Sequence, residues 1–496
     1  MSAFASRPRP TATDRLRAHM VRRILTPKDT SALLHATDVT PMPSSDASLG
    51  LPAESTGLYE GFKSVDTVPE ELYRELDVKR GLRNSDGSGV LVGLTTISNV
   101  HGYNKDGGIV VPDEGELIIR GYRLDDLVNK THEAGRFGYE EMAYLIVSGH
   151  LPSEAELADF NARIDSRREL PTGYLSLFPR TTESSSIMNV LARSTLLLYA
   201  FDENPDDTSA QHEVDVSISM LARLPRIAAI AHAASIAVQE GTELAVPPVR
   251  QGNSMAETVL DVLRGDEGFT REEAMMLDVM LMLHAEHGGG NNSTFTCRVL
   301  SSSGTDAYSA YAAAMGSLKG PKHGGANAKV GAMIADVAEH VADWSNEDEL
   351  ASYLEQIARG EAFDRTGLVY GMGHAVYTKS DPRARVVRGY ARRLAELKGC
   401  EEKLALIEGI ERLSPDIVRS VRGTNKPICA NIDLYTGFVY SMLGISEDLY
   451  TPIFAMARMA GWTAHRMEEL YGSGRIIRPA YNSVIDRYDY VPLEER

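Results

Sequence analysis

Beyond residue 122 the chain is punctuated as a helical protein is, and this limits its fold more than any other feature. Ser153-Glu154-Ala155-Glu156 marks one helix start. Ser345-Asn346-Glu347-Asp348 opens a second in the manner of a capping box, with Leu350, Tyr353, Leu354 and Ile357 as its apolar stripe and Gly360 as its stop. Asp381-Pro382 begins a third, with proline at the first helical position. Val386, Val387, Tyr390, Leu394 and Leu397 form its apolar face, and Gly399 closes it. Strand signals are confined to residues 89–122. Val90, Val92, Leu94 and Ile97, then Leu117 to Ile119, are β-prone and flank the turn-rich Asn104-Lys105-Asp106-Gly107-Gly108. There is no internal repeat and no heptad run. The expected class is mainly α with a small β-hairpin region near the start.

Four segments break this pattern with Gly, His, Asn and Arg. They are His284-Ala285-Glu286-His287-Gly288-Gly289-Gly290-Asn291-Asn292-Ser293, Gly320-Pro321-Lys322-His323-Gly324-Gly325-Ala326-Asn327, Gly371-Met372-Gly373-His374-Ala375-Val376-Tyr377 running into Asp381-Pro382-Arg383, and Asn431-Ile432-Asp433-Leu434-Tyr435-Thr436-Gly437. Glycine removes bulk, so a ligand can approach an imidazole and the nearby amides. A helix starting after such a loop adds partial positive charge suited to an anion. Imidazole donates hydrogen bonds or moves protons near neutral pH, and Asp433 acts as a base if it is desolvated. Any one of these motifs alone reads as a turn or a cap. Their joint occurrence points to acid–base chemistry. A metal-dependent hydrolase built on His284, His287, His323 and His374 is the remote alternative. There is no HExxH, and the glycines after His287 break the helix that would present a metal pair, so no metal is expected.

With 496 residues, 43% of them apolar, two or three domains are expected. A formal charge of −18 argues against nucleic acid as a partner. Three cysteines without a CxxC pair make a disulfide framework or thiolate zinc site unexpected. The most apolar run, Ile227 to Val238, falls short of the about 20 residues a bilayer span needs, and no secretory signal is read. The first 60 residues are interrupted by Pro8, Pro10, Pro27, Pro41, Pro43 and Pro52. Within them Leu16, Met20, Val21, Ile24 and Leu25 make a helical face flanked by Arg15, Arg17, Arg22 and Arg23. That segment reads as a packing arm, with a mitochondrial transit peptide as the alternative. The expected location is cytoplasmic.

The motifs together resemble those of the citrate synthase family, including its 2-methylcitrate synthase branch. The family pattern is GPxHGGAN, then GxGHxV followed by DPR, then NxDx(Y)(S/T)G, in that order, and Gly320–Asn327, Gly371–Arg383 and Asn431–Gly437 follow it. Gly138 to Leu145 and Gly149-His150-Leu151-Pro152 are similar to the family as well. The resemblance runs from about Gly81 to the C-terminus and leaves out the first 60 residues.

The resemblance implies a two-domain helical fold with its site in the cleft between domains. The expected boundaries are an extension over 1–60, a large domain over 61–324 and 446–496, and a small domain over 325–445. It implies condensation of acetyl-CoA with oxaloacetate and hydrolysis of citryl-CoA, with propionyl-CoA as the alternative acyl donor. By the same resemblance Asp433 is the base, His323 donates to the thioester oxygen and His374 to the ketone of oxaloacetate. His287, Arg383, Arg458 and Arg478 bind oxaloacetate, with Arg478 crossing from a neighbouring subunit of a homodimer. Asn291 and Ser293 support His323. Gly371 and Gly373 line the acyl-CoA site. The family often carries a basic side chain four positions after the His matching His374. Thr378 stands there in this chain, so Lys379 is the expected phosphate contact. No cofactor beyond the acyl-CoA co-substrate is implied.

Overall fold

The computed structural model describes residues 68–178, 186–472 and 474–496. The extension expected over 1–60, with its Arg-rich helix, lies outside the described residues. The described residues fall into two compact units. One comprises 68–78 and 484–496, with a short helix α1 (Glu70–Glu75) and a single 3-10 turn at Leu493–Glu495. The other, Lys79–Ser483, carries everything described below.

It begins with an antiparallel three-stranded sheet, β1 (Ser98–Asp106), β2 (Ile109–Ile119) and β3 (Tyr122–Arg123). Gly107 and Gly108 both have positive φ, which a two-residue type I′ hairpin turn requires and which glycine adopts without strain. The ladder runs from Ser98↔Ile119 to Asp106↔Ile109, with a bulge where His101 pairs Glu116 but Tyr103 pairs Pro112. The strand therefore starts later than the β-prone run suggested. Residues 90–96 are not strand, and Leu91 and Leu94 are 83% and 88% exposed. Of that run only Ile97 enters the core.

Helices follow: α2 (Leu124–Glu133), α3 (Tyr139–Ser148), α4 (Glu154–Asp165), α5 (Ile187–Leu198), α6 (Ala210–Glu240), α7 (Met255–Arg264), α8 (Arg271–His284), α9 (Asn292–Ser301), α10 (Ala307–Leu318), α11 (Ala326–His340), α12 (Glu347–Arg359), α13 (Pro382–Lys398), α14 (Glu401–Arg422), α15 (Asp433–Met442) and α16 (Tyr450–Tyr471). The fold is mainly α, as expected.

The caps explain where the helices start and stop. Ser153 and Glu156 form a reciprocal capping box on α4. Asn346, rather than Ser345, caps α12 by accepting from Asp348 and Glu349 amides, and Gly360 in the left-handed conformation ends it. Asp381 caps α13, Pro382 is its first residue and left-handed Gly399 its stop. The face of α13 is shorter than the sequence stripe, because Leu397 is exposed. The fourth Gly-containing segment does not break a helix: α15 starts at Asp433 and runs through Gly437.

Two helices are apolar on almost every side and form the centre of the unit. α8 is buried from Glu273 to His284, and α16 from Ala455 to Arg466. α6 packs on α5, α7 and α16. By length and composition α6 is apolar enough to cross a membrane, but 67% of its most apolar window is buried in this core. The run Ile227–Val238 lies within it, continuous with further apolar turns. α16 also carries polar side chains inward. Arg466 binds Glu213 of α6 through two hydrogen bonds of 2.8 and 2.6 Å, each group fully buried. Paired this way, neither charge is left unmet.

Candidate active site

α8 ends at His284, so His284 and His287 do not share a helix face. The chain turns through Gly288, which has positive φ, and restarts as α9. Asn291 shapes that turn. Its Nδ2 donates to the Gly288 carbonyl at 2.6 Å, while its Oδ1 accepts the Thr294 amide at 3.1 Å as the helix cap. Ser293 follows in the first turn, fully buried.

The loop before α11 is folded as tightly. The Gly325 amide donates to the Gly320 carbonyl, and a Cβ at Gly325 would lie 2.8 Å from the Lys319 carbonyl oxygen. His323 is thereby set against Ser293. Its Nε2 receives the Ser293 amide at 3.3 Å and lies 3.0 Å from Ser293 Oγ. Trp462 Nε1 of α16 donates to the same Oγ at 3.3 Å. A backbone N–H can only donate, so Nε2 is an acceptor and the ring proton sits on Nδ1.

The third and fourth segments are strapped together. The Asn431 amide donates to the Gly371 carbonyl at 2.9 Å, and the Gly373 amide to the Cys429 carbonyl at 2.7 Å. Asn431 Nδ2 binds the Gly373 carbonyl at 2.9 Å, and its Oδ1 accepts the Asp433 amide at 3.0 Å. Gly371 is required here: its φ is positive, and a Cβ would meet Leu434 at 3.0 Å. His374 leaves this strap with Nδ1 accepting two amides, Val376 at 3.1 Å and Tyr377 at 3.0 Å. Its proton therefore sits on Nε2, the opposite tautomer from His323.

Two buried arginines converge near these groups. Arg383, in the first turn of α13, is held by Asp381 through Nε at 3.1 Å and Nη2 at 2.7 Å. Arg458 of α16 donates Nε to the His284 carbonyl at 2.7 Å and lies 4.9 Å above the Phe454 ring. Its Nη2 has no hydrogen-bond partner among the described residues. Burial first, and Arg383 second, lower the Arg458 pKa to about 10, with Glu286 opposing them, so it is charged at neutral pH. Arg383 is clamped by Asp381 while Arg458 keeps an unpartnered Nη2, a pair suited to an anion with carboxylates of its own.

The titrating groups divide cleanly. Burial lowers His323 to about 4, with Arg458 adding to it. Burial, then Arg383, lowers His374 to about 4 against Asp381. Burial also holds His287 well below the usual imidazole range, helped by Arg383 and His374. All three are neutral donors or acceptors at pH 7. Asp433 moves the other way: burial pushes it up to about 6, although Arg383 pulls it down. It is an ionised base at pH 7 of far greater basicity than a solvated aspartate. A raised folded pKa is a stability contribution present below the unfolded value near 4 and lost as pH rises through about 6. Asp433→Asn is therefore expected to be more stable than the parent at pH 7.5 by about 1–3 kcal/mol, with the difference vanishing near pH 4. Denaturant unfolding at the two pH values, without substrate, checks this; equal stability at pH 7.5 would contradict the desolvated carboxylate.

The structure brings His287, His323, His374, Asp433, Arg383 and Arg458 into one neighbourhood. The His287 and His374 rings are 5.2 Å apart. His284 stands behind them, fully buried, its ring 4.4 Å from that of Phe454 and tilted 35° to it. Lys379 is exposed beside the loop, and Arg478 is exposed. Among the described residues no group of three His, Cys, Asp or Glu side chains is arranged to hold a metal ion. Sequence reasoning passed over Tyr377 and Asp381 although both lie inside a motif it singled out. Tyr377 bonds His287 Nε2 at 3.1 Å and stacks on His374 at 4.5 Å. Phe454, between His284, His323 and Arg458, carried no motif.

Comparison with known proteins gives the same direction. Residues 85–480 match the family model "Citrate synthase, C-terminal domain". The 2-methylcitrate synthase 1 of Corynebacterium glutamicum is 33% identical over 427 residues, covering 84% of this chain and 98% of that protein. The citrate synthase of Deinococcus radiodurans is 33% identical over 385 residues, covering 77% and 93%. The structure of citrate synthase from Thermoplasma acidophilum in ternary complex with carboxymethyl coenzyme A and oxaloacetate superposes with a TM-score of 0.68 at 25% identity, covering 84% of this chain and 99% of that one.

Proposed function

Because the chain belongs to the citrate synthase family, we propose that it condenses acetyl-CoA with oxaloacetate and hydrolyses the citryl-CoA thioester to citrate and CoA. One arrangement carries this reading. Two buried guanidiniums, one clamped by Asp381 and the other with an unpartnered Nη2, lie beside two neutral imidazoles of fixed tautomer and an aspartate with a pKa of about 6.

Asp433 removes a proton from the thioester methyl group, and His323 Nδ1–H donates to the thioester oxygen as negative charge develops there. The new nucleophilic carbon attacks the oxaloacetate ketone, whose oxygen takes a hydrogen bond from His374 Nε2–H. Arg383 and Arg458 bind the oxaloacetate carboxylates, with His287 alongside and Arg478 supplied by the neighbouring copy in a homodimer. Water then cleaves the thioester. Backbone at Gly371 and Gly373 receives the acyl-CoA, Lys379 its phosphates, and residues 325–445 move as the body that closes over the substrates. The side chains supply the acid–base chemistry, so the reading assigns no metal or redox cofactor, and it places the enzyme in the cytoplasm.

The second reading is 2-methylcitrate synthase, favoured by a relative of that name at the same 33% identity as a citrate synthase. One methylene in an apolar pocket changes transition-state binding by only about 1–3 kcal/mol. Measuring kcat/KM for acetyl-CoA and propionyl-CoA with oxaloacetate separates them. Acetyl-CoA is expected to be the better donor. A tenfold preference for propionyl-CoA moves the assignment to the second reading, and no CoA release with either removes both.

A further inference from the structure

Thr378 replaces the basic residue common at its position in the family, and the structure uses its hydroxyl for something else. The β1–β2 hairpin lies against the loop between His374 and Arg383. At the bulge between His101 and Tyr103 the strand ladder is interrupted, and backbone groups of Gly102 and Asp113 face Thr378 instead. Thr378 Oγ1 accepts the Asp113 amide at 3.1 Å and directs its proton to the Gly102 carbonyl, with the Asp113 carbonyl also 3.1 Å away. One hydroxyl thus closes the gap in the ladder.

The approach is too close for side chains on the hairpin. A Cβ at Gly102 would lie 2.6 Å from Tyr377 Cα and 2.7 Å from the Val376 carbonyl oxygen, and one at Gly115 would overlap the Ser380 carbonyl. The Gly115 amide donates to Ser380 Oγ at 3.1 Å, Arg385 Nη2 to the Gly115 carbonyl at 3.3 Å, and Arg83 Nη1 to the Ala375 carbonyl at 3.2 Å. The stretch held this way contains Val376 and Tyr377, whose amides fix His374 Nδ1 as an acceptor. Bulges often re-aim groups beside active sites, and this one grips the backbone that sets a histidine tautomer.

We propose that Thr378 is a positioning residue: its hydroxyl latches the β1–β2 bulge onto the catalytic loop and so holds the Val376 and Tyr377 amides on His374 Nδ1, keeping the proton on Nε2. The proposal rests on the condensation reading for the role of His374 but not for the latch itself. It also separates position 378 from CoA phosphate binding.

Thr378→Val keeps the shape and removes the hydroxyl; Thr378→Ser restores the hydroxyl; Thr378→Ala is the fallback if valine does not fold. In the valine variant kcat is expected to fall about 10- to 100-fold, since small misplacements of a catalytic group cost that much, with KM for acyl-CoA unchanged. The serine variant is expected to stay within about threefold of the parent. Imidazole ¹⁵N NMR of His-labelled protein should show a single Nε2–H tautomer for His374 in the parent and serine variant and a tautomer mixture in the valine variant. Parent-like kcat and an unchanged His374 signal in both the valine and alanine variants would overturn the latch. So would a rise in acyl-CoA KM at constant kcat, which would return residue 378 to CoA binding. The NMR arm needs no turnover, so an enzyme inactive with every acyl-CoA refutes the condensation reading while the tautomer still tests the latch.

Discussion

Asp433→Asn is expected to bind oxaloacetate as the parent does and to release CoA from acetyl-CoA at a rate lower by about 10³–10⁴-fold, the upper range for loss of a general base. The substitution is nearly isosteric. The Asn431 strap reaches residue 433 through its backbone amide, so it survives, and Asp381 still neutralises Arg383. Only the basicity is lost. Calorimetry with oxaloacetate alone should give a Kd within about threefold of the parent. Exchange of the acetyl methyl protons with solvent should disappear together with turnover, because both need the same proton transfer. A kcat within tenfold of the parent would remove Asp433 from the chemistry. In the parent, kcat/KM should fall tenfold per pH unit below about 6, following Asp433, because the histidines stay neutral down to about 4.

Much of this site was legible because its geometry is written in local signals. A glycine that must adopt positive φ, an asparagine that caps a helix and a proline at a first helical turn are each visible in one short window, and Gly371, Asn291 and Pro382 behave accordingly. The class was legible for the same reason: caps at Ser153 and Asp381 and stops at Gly360 and Gly399 delimit helices without tertiary information. What escaped was set by packing between distant segments. Val90, Val92 and Leu94 alternate like a strand, yet Val92 and Leu94 stay exposed among the described residues, while Ser98–Asp106 pairs with β2 despite three polar residues near its end. His284 and His287 look like a helical pair until α8 stops between them. Asp381 was readable as a cap but not as the partner of Arg383, because a cap and a carboxylate clamp have the same sequence signature. Phe454 gave no signal, since an aromatic in a buried helix is ordinary and only its neighbours make it part of the site.

Replacing Arg458 by methionine should weaken oxaloacetate binding by about 2–5 kcal/mol, a rise in Kd of roughly 30- to several-thousand-fold, the usual result of removing a buried charge from an ion pair. The same variant should lose little stability. Arg458 is buried with Nη2 unpartnered and Arg383 is a like charge beside it; both raise the cost of keeping it there, and Glu286 offsets only part of that cost. Methionine fills similar volume and gives up one bond, Nε to the His284 carbonyl. The comparison with Arg383→Met is what makes the result specific. Arg383 already holds Asp381 through two hydrogen bonds, so its removal strands a buried carboxylate and is expected to destabilise the fold by about 3–5 kcal/mol. A residue kept for folding behaves like Arg383, and a residue kept for an anion behaves like Arg458. If Arg458→Met unfolds as easily as Arg383→Met and binds oxaloacetate normally, the anion site lies elsewhere. The formal charge of −18 does not oppose such a site. That total sums the whole chain, and salt screens its exposed part, whereas the two guanidiniums act at contact distance inside protein.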